Sequence, residues 1–67
     1  MTDTKALREV IEETGIKITF LAQKIGISRE CFYQKMRNET EFKASEIKAL
    51  AKVLHLSAER RDAIFFS

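Results

Sequence analysis

Sixty-seven residues, 45% of them hydrophobic and 33% charged, with a formal net charge of +2, bound the chain to one small domain, residues 1–67. A domain of this size buries only about 60% of the surface its unfolded form exposes, enough for one core but not for a deep catalytic cavity, so an enzyme is not expected. The single cysteine, Cys31, excludes an intramolecular disulfide and points to a reducing, cytoplasmic setting, while the longest apolar run, Ala63 to Phe66, is far too short for a membrane span.

With no proline, two glycines and abundant Ala, Leu, Ile, Glu, Lys and Arg, the chain favours helices throughout, and an all-α fold is predicted. Leu7, Val10, Ile11 and Thr14 share one helical face, which predicts a first helix over residues 4 to 14. Asp3 or Thr4 can cap its start, and Gly15 supplies the left-handed stop, with Ile16 just behind it. Ile18, Leu21, Ala22 and Ile25 repeat the spacing in a two-turn second helix that Gly26 ends. No apolar stretch follows Met1, so no leader segment is expected.

Ser28 is a good N-cap for a third helix running from Arg29 to about Arg37, and Ile27 before it can pack on Phe32 as a hydrophobic staple. Asn38, Glu39 and Thr40 mark a loop. Ile47, Leu50, Ala51 and Leu54 predict a fourth helix over 44 to 54, with no clear cap among Lys43, Ala44 and Ser45 and with His55 where the chain turns away. Ser57 then caps a last short helix ending in Ile64, Phe65 and Phe66.

On a helical wheel the third helix divides into two arcs. Cys31, Phe32, Lys35 and Met36 fall on the inner one, and Arg29, Glu30, Tyr33, Gln34 and Arg37 on the outer. Arg and Gln pair well with guanine and adenine edges in a major groove, which is wide enough to admit a helix. Any surface helix has a polar face, and taken alone this one is better explained as solvated. Its setting changes the balance: a two-turn helix, a tight glycine turn and a capped helix are the parts of a helix-turn-helix, in which a small residue such as Ala22 permits close crossing. Charge points the same way. Residues 1 to 16 sum to −2 and residues 17 to 37 to +4, so the positive charge sits on the proposed reading unit.

The stretch from Ile18 to Tyr33, including Leu21-Ala22, Gly26-Ile27-Ser28 and Phe32, resembles the helix-turn-helix of the phage Cro and repressor (XRE) family. Glu41-Phe42-Lys43, Ser45-Glu46-Ile47 and Ile64-Phe65-Phe66 extend the likeness to a subgroup of small phage-encoded Cro-like repressors. The resemblance implies a lambda-repressor-like domain of five helices that binds double-stranded operator DNA, usually as a homodimer. Carried over by position, it puts Arg29, Glu30, Tyr33 and Gln34 at the bases, with Glu30 either accepting from cytosine or favouring the helix N-terminus and repelling wrong sequences. Lys17, Thr19, Gln23, Ser28, Arg37, Asn38 and Lys43 are then the backbone contacts. Two positions depart from the family pattern. Ile18 stands where a phosphate-touching Gln is frequent, leaving Lys17 or Thr19 to replace it. Lys35 stands where an apolar residue is usual, and its stem is expected to snorkel along the core edge with the ammonium in water or on phosphate.

Cys31 and His55 make a poor nucleophile–base pair, since Cys31 lies on the inner arc as a core filler and His55 at a helix end is suited to bonding the last carbonyls. No close-spaced Cys/His set suggests a metal, and no cofactor or small-molecule substrate is expected. Three consecutive apolar residues cannot all face one core. Either Ile64 and one phenylalanine simply close it against helices 1 and 4, or the other phenylalanine is also exposed for a two-fold dimer contact, for which Phe65 and Phe66 are the candidates. The leading expectation is a DNA-binding transcriptional regulator. The alternative is a protein-interaction module on the same scaffold, binding another regulator or an antirepressor.

Overall fold

A computed structural model describes residues 1–66, whose regular structure consists of five helices and no strand. They are α1 (Thr4–Thr14), α2 (Ile18–Ile25), α3 (Arg29–Met36), α4 (Ala44–Val53) and α5 (Ala58–Phe65). The first two match the predicted spans. The third and fourth stop one residue short, with Arg37 and Leu54 as C-cap residues.

Local chemistry accounts for the boundaries. Asp3 accepts from the Ala6 N–H at 3.1 Å, Ser28 from Cys31 at 3.0 Å and Ser57 from Arg60 at 3.1 Å, each satisfying a free donor of a first turn. The α4 cap that the sequence leaves open is supplied from inside the helix, where the Glu46 carboxylate reaches back to accept from the Lys43 N–H at 2.8 Å. Left-handed residues follow the first four helices: Gly15, Gly26, Asn38 and His55, with φ between 55° and 81°. At the last three, the next residue's N–H returns to a carbonyl five positions back, closing the helix end. His55 therefore serves through its backbone conformation, and its own N–H, not its ring, takes the Lys52 carbonyl. Thr14 is exposed instead of joining the apolar face, and its hydroxyl donates to Ile11 O.

The core gathers Leu7, Val10 and Ile11 from α1, Leu21 and Ala22 from α2, Phe32 and Met36 from α3, Ile47 and Leu50 from α4, and Leu54. The loop residue Phe42 joins it, with its ring edge-on to both Phe32 (5.6 Å between centroids) and Phe65 (5.5 Å). Ile64 and Phe65 are both buried, while Phe66 is 64% exposed. Phe65 is thus removed from the expected dimer contact: it fills the core beneath Phe42, where no second molecule can reach it. The Asp3 N–H donates to Ile64 O at 2.6 Å, tying the two chain ends together. No helix among the described residues is long and apolar enough to cross a membrane.

Candidate nucleic-acid interface

The turn between α2 and α3 is only Gly26-Ile27-Ser28, so α3 leaves α2 abruptly and packs on it with one face. Phe32 and Met36 bury that face, and half-buried Ile27 joins the same core. Arg29, Glu30, Tyr33 and Arg37 emerge on the opposite side and line one shallow depression. Arg29 and Tyr33 are one helical turn apart, and the guanidinium stands over the ring at 5.5 Å from its centroid. That contact restrains two long side chains that would otherwise lose rotamer freedom on meeting a ligand.

A second open groove runs beside the first, and here the two halves of the motif meet. Lys17 and Thr19 at the start of α2 line it together with Arg29 and Tyr33, over a floor that includes Ile11, Ile16 and Ile18. Lys17, Thr19, Arg29 and Tyr33 thus share one face of the motif. Half-buried Ile18 packs on the core, so the neighbouring Lys17 and Thr19 offer the polar groups at this end.

The remaining expected contacts divide. Gln23 and Lys43 are exposed, whereas Gln34 is half-buried and has less reach than Arg29 or Tyr33. Ser28 spends one lone pair on its cap and keeps its hydroxyl proton for donation. Arg37 is exposed and bound to Glu39, which raises the guanidinium pKa and holds the Glu39 carboxyl below its ordinary range through their hydrogen bond. Asn38 is exposed as well. It occupies the left-handed position after α3, and its side-chain amide donates one N–H to Thr2 O at 3.4 Å, which leaves the second for another acceptor.

Lys35 departs from its expected role. Its ammonium does not snorkel: the side chain is 6% exposed and points inward, donating to Glu41 O at 2.9 Å and pairing with Glu46 Oε1 at 3.2 Å. One of the five cations counted toward the basic segment is therefore neutralised inside the protein. Cys31, expected inside, is only half-buried. The Lys35–Glu46 pair was missed by sequence reasoning, although the charged residue at an inner-arc position of α3 was its signal.

The fold and this exposed helix define a helix-turn-helix DNA-binding domain. A family model for the Cro/C1-type HTH DNA-binding domain matches residues 6–59, and the chain belongs to that family. No curated protein and no solved structure matches it.

Proposed function

We propose that the protein is a sequence-specific transcriptional regulator of the phage Cro and repressor kind, which lays α3 in the major groove of an operator and acts by occupying that site. The observation that carries this reading is the outward stripe of Arg29, Glu30, Tyr33 and Arg37, continuous through Arg29 and Tyr33 with Lys17 and Thr19. Arg29 and Tyr33, with Gln34 at the margin, read bases. Glu30 sits in the first turn of α3, where a carboxylate suits the helix dipole and disfavours sequences that bring a phosphate or an acceptor edge close. Lys17, Thr19, Gln23, Ser28, Arg37 and Lys43 hold the sugar-phosphate frame.

Selection of bound duplexes from a random pool tests the reading and reports half-site symmetry at once. On the selected duplex, Arg29→Ala is expected to cost about 1–3 kcal/mol and relax preference at one base position. Arg37→Ala should weaken all duplexes alike and flatten the salt dependence by about one unit of slope. Equal affinity and selectivity in both variants would overturn these roles.

Homodimerisation through the C-terminal helix completes the proposal. Exposed Phe66 lines a depression with Ala44, Ile47, Lys48 and Arg61, a contact that a two-fold axis can repeat, giving half-sites about 34 Å apart. Phe66→Ser should shift the protein toward monomer in sedimentation at unchanged helical content, and an unaltered monomer–dimer balance would rule this surface out. Exposed Phe20, capped by Lys24 at 5.3 Å, is the feature that a protein-interaction module would use instead. If no duplex binds even at low ionic strength, that second reading takes over.

A further inference from the structure

The ion pair behind the reading helix has a geometry that packing alone does not require. A single carboxylate oxygen, Glu46 Oε1, takes two partners: the Lys35 ammonium from α3 at 3.2 Å and the backbone N–H of Lys43, the N-cap residue of α4, at 2.8 Å. The same ammonium also holds the Glu41 carbonyl, and the Phe42 ring lies 5.9 Å from it. Both side chains are buried, at 6% and 8% exposure, and no buried side-chain polar atom among the described residues lacks a partner.

Two well-packed apolar side chains would commonly serve stability as well or better, because each charge loses its hydration on burial. Geometry offers a different reason for the pair. α3 packs chiefly on α2, and from Arg37 to Lys43 the chain is irregular, so the start of α4 is held to α3 by the Phe32–Phe42 ring contact and by this pair, of which only the pair is directional. Lys35–Glu46 is the one ion pair joining those two helices among the described residues.

We propose that Lys35 and Glu46 are positioning residues for DNA recognition: through Glu46 Oε1 they fix the spacing between the base-reading face of α3 and the phosphate contact at Lys43. This rests on the DNA-binding reading above. Neither side chain touches DNA. Together they hold two contact points in the register that one duplex demands, so a correct sequence satisfies both at once and a wrong one does not.

The test compares Lys35→Met/Glu46→Leu, which removes the whole tie, with Lys35→Met/Glu46→Gln, which keeps an acceptor for the Lys43 N–H but frees α3. Both should still fold, at a cost far below the sum of the two single losses, since no buried charge is left without a partner. Affinity for the selected duplex should fall by about ten-fold or more, while affinity for unrelated duplex stays within about two-fold, so that the specificity ratio collapses. Lys43→Ala should weaken selected-duplex binding less in either double variant than in the parent, because the two contacts no longer act in concert. Hydrogen exchange should quicken at α3 amides and not at those of α1. A double variant that keeps the parent's specificity ratio overturns the proposal, and so does one that unfolds, since the pair would then be structural. A parent protein that binds no duplex overturns the DNA-binding reading itself, and the hydrogen-exchange arm would show whether the tie to α3 survives as a mechanical fact.

Discussion

Phe32→Ala is expected to leave the domain largely unfolded at physiological temperature. The ring is fully buried at the centre of the core and is edge-on to Phe42, which is edge-on in turn to Phe65, so one aromatic chain links α3, the loop and α5. Truncating such a side chain costs about 3–5 kcal/mol, and the lost ring–ring contact accounts for about 1 kcal/mol within that sum. At roughly 0.05–0.15 kcal/mol per residue, a chain of this length has only about 3–10 kcal/mol in total. Thermal unfolding followed by circular dichroism should show a fall of more than about 10 °C, given about 4–8 °C per kcal/mol in a domain this small. Phe32→Leu should recover most of the loss, since it fills much of the same volume. A shift of only a few degrees for the alanine variant would mean that α3 is not anchored through this ring, and the presentation of its outer face would need another explanation.

The parts of the fold carried by local periodicity were readable in advance. Leu7, Val10 and Ile11, then Leu21 and Ala22, then Ile47, Leu50 and Leu54 are spaced at the helical repeat, and serine or aspartate caps and glycine stops frame several of these segments. The outer arc of α3 was legible for the same reason, because a wheel needs only the helix and its buried face. What escaped has no local signature. Phe42 lies in a loop, where no period announces a core residue. The αL positions of Asn38 and His55 depend on how the chain must turn between packed helices. Nor does anything local announce that the Asn38 amide meets the carbonyl of Thr2, 36 residues away in the chain. Phe65 and Phe66 could not be told apart until the rotation of α5 against the core was known. Lys35 was the least tractable, since a lysine at an inner-arc position is explained locally by snorkelling and correctly explained only by the approach of Glu46 from another helix.

That pair carries the second large effect. Lys35→Met alone, or Glu46→Leu alone, is expected to destabilise the domain by about 3–5 kcal/mol, because each strands a buried charge with its partner gone. The two losses differ in detail: without Lys35 the Glu41 carbonyl also loses its donor, and without Glu46 the N–H of Lys43 loses its acceptor at the start of α4. Removing both charges together should cost far less than the sum, with a coupling of about 2 kcal/mol or more, since no charge then remains inside. Urea unfolding of the parent, both single variants and the double variant closes the cycle. Additive losses would mean that water or a rearranged loop already screens each charge, and the ammonium would then not be sequestered from the DNA-facing surface. A strong coupling would instead mean that the basic character of the reading unit rests on Lys17, Lys24, Arg29 and Arg37, the cations that remain outside.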